Sequence, residues 1–320
     1  MPNWNDVLRE INEYISSNRQ NPAQAAQAVD VTRRKYLGQL HERTGRNIIA
    51  YYSGFLSKPE ISGLGINDED KNGFMMAVHR MDRGKGLDII LHTPGGSIAA
   101  TQSIVNYLQK MFGSNIRAIV PQIAMSAGTM IACSCRSIVM GTHSNLGPID
   151  PQLRDVPAYG VIQEFKRAYR EVKRDVTKAL LWQTIISQYR PTFLSQCEQS
   201  IQWSNAFVKD QLQTVMFAGE KDGIEKANQI VKILTDYRGN KTHDRHIHLE
   251  ECEEMGLKVE ALEQDGNQTL QDLVLTVHHC YMHTLMNTAA YKIIENHTGT
   301  AFIKQVNIQG IQLLQPQPVR

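Results

Sequence analysis

Between Leu87 and Gly141 the chain alternates apolar runs, small-residue turns and helix-length segments in a fixed order, and this alternation restricts the fold more than any other feature. Leu87-Asp-Ile-Ile-Leu-His92 leads into Thr93-Pro-Gly-Gly-Ser97 and a helical stretch from Ile98 to Met111. Ile116-Arg-Ala-Ile-Val-Pro121 leads into Ala124-Met-Ser-Ala-Gly128 and an apolar helix to about Cys135, and Ser137-Ile-Val-Met140 is a third strand ending at Gly141. Largely apolar strands lack the in-out alternation of a half-solvated sheet. They suit a parallel sheet with helices on both faces, which places the chain in the α/β class.

The flanks extend that reading. Asn47 to Ser53 is a further buried strand, and Asn67 caps a helix that carries Glu69 and Asp70 in its first turn and Phe74, Val78 and Met81 at helical spacing. Residues 1–46 read as a polar helical arm with a break at Asn18 to Pro22, and Pro22 to Thr44 as a basic amphipathic helix, solvated or used in assembly. Residues 47–320 form the main domain. After Pro151 the texture is mostly helical, with apolar faces at Ile162, Phe165, Tyr169, Val172 and Val176, and at Leu270, Val274, Val277, Tyr281 and Leu285.

A length of 320 residues suffices for one large core with a smaller appendage. Net charge is only +2, which gives no electrostatic case for nucleic acid or an anionic membrane as the main partner. The run from Ile116 to Met130 is broken by Arg117, Pro121 and Gln122, so no membrane span is expected. The polar start, with Asp6, Glu10 and Glu13, does not resemble a secretory leader, and a cytoplasmic location is expected. Five cysteines without a paired framework, including Cys133 and Cys135, fit buried thiols in that setting.

The two turns carry the chemistry. Each lies at the carboxyl end of a parallel strand, where open α/β sheets place their sites. Thr93 to Ser97 presents successive backbone N–H groups at a helix start, and its glycines let a ligand approach closely. Ser126 opens the next helix among Ala124, Met125, Ala127 and Gly128. A nucleophile beside oxyanion donors is what acyl transfer needs.

The stretch LHTPGGSIAATQSIVNYL…IVPQIAMSAGTMIACSCRSIVMGTHSNLGPIDPQ resembles the serine dehydrogenase proteinase family of the Clp/crotonase superfamily. It is similar, more distantly, to Clp-type proteases and serine–lysine signal peptide peptidases. The resemblance runs from Arg43 onward, is densest from Gly86 to Gln152, and takes in Thr242-His243 and Lys292-Ile-Ile-Glu295. It implies a Clp/crotonase-like superhelix of βα units with additional N- and C-terminal helices. It matches Ser126 to the nucleophile and the amides of Gly95, Gly96 and Ala127 to the oxyanion hole. Where Clp-type enzymes carry the catalytic histidine, this chain has Ile149 or Asp150.

The base is therefore open, with Lys166 and His243 ranked level. Lys166 falls broadly where serine–lysine peptidases place their lysine, beside Ile162, Phe165 and Tyr169, which would desolvate it. His243 comes from a later loop with Asp244 beside it in sequence. Tyr159, His143 and Asp150 are candidates for shaping the site, Asp150 chiefly by fixing its turn. His279 and His283 are four apart, and His243, His246 and His248 cluster, but neither set has the partners of a metal site, so no metal is expected. No G-x-x-x-x-G-K-[ST] motif occurs and no cofactor is expected.

The leading expectation is an ATP-independent cytoplasmic serine peptidase acting on peptide or protein substrates as a homo-oligomer. The rivals are a crotonase-type acyl-CoA enzyme, which does not need Ser126, and an inactive Clp-like scaffold.

Overall fold

The computed structural model describes residues 4–153, 156–236, 239, 242–263 and 268–306. Its strands are β1 (Asn47–Ser53), β2 (Leu87–His92), β3 (Ile116–Val120), β4 (Ile123–Ala124), β5 (Ser137–Met140), β6 (Asn145–Leu146), β7 (Gln152–Leu153), β8 (Val156–Pro157), β9 (Val259–Ala261), β10 (Ala290–Asn296) and β11 (Ala301–Gln305). Its helices are α1 (Trp4–Ser17), α2 (Pro22–Ala25), α3 (Ala28–Thr44), α4 (Asp70–Val78), α5 (Ile98–Phe112), α6 (Ala127–Cys133), α7 (Ala158–Arg174), α8 (Ala179–Ile186), α9 (Phe193–Gln211), α10 (Gly223–Leu234), α11 (Leu249–Glu254) and α12 (Gln268–Asn287).

Seven strands form the central sheet in the order β11-β10-β1-β2-β3-β5-β9. The run from β1 to β9 is parallel, and β10 and β11 add antiparallel strands at one edge. Alternate residues of one strand feed opposite layers. Leu87, Ile89 and Leu91 enter the core with α4, α5 and α6, while Ile90 enters the core with α3 and α12. Both faces are covered, so the apolar runs need no polar alternation. Each fully buried Ile or Leu contributes about 1.5–3 kcal/mol.

Two sequence expectations change here. The mostly helical reading after Pro151 misses β9, β10 and β11. In β10 the polar residues Lys292, Glu295 and Asn296 interrupt the apolar run, yet all three are buried and satisfied internally. The expected N-terminal arm is built into the domain instead: α3 packs on α12, and Leu37 and Leu40 are fully buried. Arg33 goes with them. It is fully buried against Glu295 and also donates to the Thr284 hydroxyl at 3.1 Å. Glu295 additionally accepts from Arg34 at 2.8 Å and from the Tyr281 hydroxyl at 3.0 Å. The basic residue that suggested a solvated face is thus one half of a core ion pair.

The five cysteines are free and buried. Burial pushes the Cys133 thiol up to about 12, which keeps it protonated and inert.

Candidate active site

The two glycine-rich turns are stitched to each other before either can hold a substrate. The Thr93 amide donates to Ile123 O at 3.1 Å, and the Met125 amide returns to Thr93 O at 3.0 Å. The Thr129 hydroxyl donates to Ala124 O at 2.8 Å and accepts from the Gly147 amide at 2.9 Å, tying the serine turn to the following loop.

Ser126 sits at the junction with φ 51° and ψ −113°, a backbone conformation that a residue with a Cβ rarely takes. Such a conformation costs roughly 1–3 kcal/mol and holds a side chain out of the turn, as in strand-to-helix turns that expose a nucleophile. Gly95 faces it closely: a Cβ there would lie 2.7 Å from the Ser126 Cβ. Gly96, at φ 151°, has the Ile66 backbone against it, and a Cβ would come within 2.2 Å of the Ile66 nitrogen. Both glycines are required by contact rather than by loop flexibility.

The donors divide accordingly. The Gly95 amide donates to Thr93 Oγ1 at 3.2 Å, so it is engaged within the turn. Among the described residues the amides of Gly96 and Ala127 have no such partner. Gly96 and Ser126 line one cleft of about 440 Å³, with Ile98, Met130, Gln152, Leu153, Ser200, Trp203 and His243. Among the described residues lining it, His243 is the only one with an ionisable side chain.

His243 reaches the cleft through the loop before α11. Ile247 in that loop exchanges backbone hydrogen bonds with Leu146 at 2.9 and 3.0 Å. Asp150 is fixed just beyond: the Ile149 amide donates to Leu234 O at 3.1 Å, and Ile149 O accepts from the Ser204 hydroxyl at 2.9 Å. The result is an imidazole–carboxylate contact, with His243 Nδ1 2.8 Å from Asp150 Oδ1. Asp150 is almost fully buried and also accepts from Gln152 Nε2 at 3.0 Å. A carboxylate can only accept here, so Nδ1 carries the proton and Nε2 is left as the acceptor.

The structure places the other candidates elsewhere. Lys166 is on the exposed face of α7, lining a groove with Tyr169, Arg170 and Glu198 rather than the Ser126 cleft. Helical phase explains the difference: Ala168 turns inward while Lys166 and Arg167 turn to solvent. The Tyr159 hydroxyl accepts from Asn205 Nδ2 at 3.2 Å, and His143 lies 3.7 Å from Glu263. Asp244, the sequence neighbour of His243, is not its carboxylate partner; Asp150 is. His283 packs on Trp4, with its Nε2 3.1 Å from Trp4 O. Trp203, Gln152 and Ser200 were not singled out by sequence, because a lone Trp or Ser on a helix carries no local mark of facing a cleft.

A mixed α/β domain with a large, mostly parallel sheet, carrying a serine in a strained strand-to-helix turn, defines the class as a ClpP-like α/β protein. The model of the ClpP-like SDH-type serine proteinase family matches residues 20–274, and the chain belongs to that family. It is 33% identical over 208 residues to the uncharacterized protein MJ0137 of Methanocaldococcus jannaschii, covering 65% of each chain. It is 29% identical over 194 residues to the uncharacterized protein MJ1495 of the same organism, covering 61% of this chain and 59% of that one. The chain thus spans less than two thirds of the length of these relatives. Among solved structures it is similar to the S97A mutant of the 1510-N membrane-bound stomatin-specific protease, at 16% identity and a TM-score of 0.38 over 64% of this chain and 78% of that one. Among the described residues no helix is long and apolar enough to cross a membrane.

Proposed function

We propose that this protein is a serine peptidase in which Ser126, His243 and Asp150 form the catalytic triad and the amides of Gly96 and Ala127 form the oxyanion hole. The observation that carries this reading is the 2.8 Å contact between His243 Nδ1 and Asp150 Oδ1 beside the cleft that Ser126 lines. It supplies the base that is missing at the position where Clp-type enzymes have theirs.

In this mechanism His243 Nε2 takes the Ser126 proton as Oγ attacks the scissile carbonyl carbon. Asp150 holds the imidazole tautomer and stabilises the imidazolium. The oxyanion accepts from Gly96 N–H and Ala127 N–H, which are fixed before the substrate arrives. His243 then protonates the departing amine, and water attacks the acyl-enzyme by the reverse route. Gly95, expected as a third donor, holds the turn instead. The finer fold reading, a crotonase-like superhelix, fits the parallel strands and belongs to the same proposal. A homo-oligomer fits the exposed apolar side chains of α7 and α8 and their connection (Tyr169, Val176, Leu180 and Leu181) better than α3, in the segment expected to serve in assembly, which buries apolar side chains against α1 and α12.

A fluorophosphonate probe tests the reading. Wild-type protein and Lys166→Ala are expected to label at Ser126 at rates within about threefold of each other, His243→Ala to label at least about 10²-fold more slowly, and Ser126→Ala not at all. Equal labelling of wild type and His243→Ala removes the triad. Loss of labelling in Lys166→Ala restores the serine–lysine alternative.

A further inference from the structure

A buried polar network lies behind the oxyanion turn, and its members are too far inside to touch substrate. Lys292 on β10 and Asp70 at the start of α4 are both fully buried, and the lysine Nζ donates to Asp70 Oδ1 at 2.9 Å and Oδ2 at 3.0 Å. The sequence suggested a helix-dipole role for Asp70; burial against Lys292 replaces it. Two arms leave this pair and grip the turn from opposite sides.

The first arm runs through backbone. Lys292 Nζ also donates to Gly65 O at 2.8 Å. The next residue, Ile66, donates to Gly95 O at 2.7 Å and accepts from the Ser97 amide at 2.9 Å. The strand-like pairing of Ile66 with Gly96 therefore depends on where Gly65 is held. The second arm runs through side chains. The Tyr51 hydroxyl on β1 donates to Asp70 Oδ2 at 2.8 Å, and Thr93 is the phenol's other polar neighbour. Thr93 Oγ1 in turn accepts from the Gly95 amide at 3.2 Å. Tyr51 and Thr93 are buried as completely as the ion pair.

A buried charge pair with incomplete hydrogen bonding is a liability, whereas one whose remaining groups are all used fixes geometry. Here the third donor of the lysine leads to the Thr93–Ser97 turn through Gly65 and Ile66, and Asp70 Oδ2, which also accepts from the Asn67 amide at 3.1 Å, leads to it through Tyr51 and Thr93. The arrangement leaves Gly95 fully engaged through N–H and C=O, and only Gly96 with a free amide. Oxyanion stabilisation is sensitive to a few tenths of an ångström in donor position, so a scaffold of this kind affects the transition state more than ground-state binding.

We infer that Tyr51, Asp70 and Lys292 are positioning residues for the oxyanion turn, setting the direction of the Gly96 amide from both sides. The inference rests on the serine peptidase reading, and it predicts an effect on turnover rather than affinity.

The test compares wild type with Tyr51→Phe, which removes only the hydroxyl, and with the charge-neutral pair Asp70→Asn/Lys292→Met, which avoids leaving one buried charge alone. Two quantities are read on folded protein: hydrogen exchange at the Gly95 and Ser97 amides, and the saturation kinetics of fluorophosphonate labelling at Ser126. The expected result is exchange at least about tenfold faster at those amides, with the maximal labelling rate down at least about tenfold and the half-saturating probe concentration within about twofold of wild type. Unchanged exchange in both variants overturns the inference, as does faster exchange with an unchanged labelling rate. Wild-type protein that takes no label while exchange still responds sinks the peptidase reading and leaves the positioning of the turn standing.

Discussion

His92 makes the fold sensitive to acid in a way that can be worked out from its surroundings. It ends β2 immediately before the Thr93 turn, is fully buried, and among the described residues has no hydrogen-bond partner on either ring nitrogen. Its neighbours are rings: Phe55 at 5.0 Å, His278 at 5.2 Å and Tyr52 at 5.4 Å between centroids. Burial pushes the imidazole from 6.5 down to about 3. The unfolded chain therefore takes up a proton at His92 below pH ~6.5 that the folded protein refuses until about pH 3. The stability involved is present in full above pH ~6.5 and is lost as pH falls, at about 1.4 kcal/mol per unit. At pH 4.5, two units below the unfolded value, the loss is about 3 kcal/mol. Guanidinium unfolding at pH 7.5 and pH 4.5 measures it for wild type and His92→Phe. The packing cost of the substitution cancels in the difference between the two pH values. Wild type is expected to lose about 3 kcal/mol more than the variant across that interval. Equal losses, within about 0.5 kcal/mol, would refute the reasoning and mean that His92 finds a proton acceptor or water in the folded state.

Asp150→Asn keeps the shape of the site but presents an amide to His243 Nδ1, so kcat is expected to fall on the order of 10⁴-fold with little change in folding, measured by peptide turnover and thermal melting side by side. A fall of less than about tenfold would make the Asp150–His243 contact structural. Arg33→Met leaves Glu295 buried without its main cation, and a loss of about 3–5 kcal/mol is expected by denaturant unfolding at neutral pH. A loss below about 1 kcal/mol would show that Arg34 and Tyr281 suffice.

The α/β class and the nucleophile turn were legible because both are written locally. Apolar strands without alternation report two covered faces, and Pro94-Gly95-Gly96 and Met125-Ser126-Ala127 follow consecutive strands, which parallel sheets usually place side by side. Ser126 needs nothing distant to be recognised as a candidate. Its partner does. His243 and Asp150 are 93 positions apart, and the Ile247–Leu146 pairing helps bring their loops together. Sequence adjacency offers His243 only Asp244, a neighbour that need not meet the imidazole, and helix position leaves Lys166 level with His243. Buried charge is hidden from the sequence for a related reason. Arg33, Asp70, Lys292 and Glu295 look like surface until the opposite charge is supplied from more than 200 residues away. Hydrophobic pattern and turn chemistry act over a few residues and so are fixed by the sequence itself, whereas charge satisfaction and catalytic geometry depend on which distant atoms close packing brings within hydrogen-bond reach.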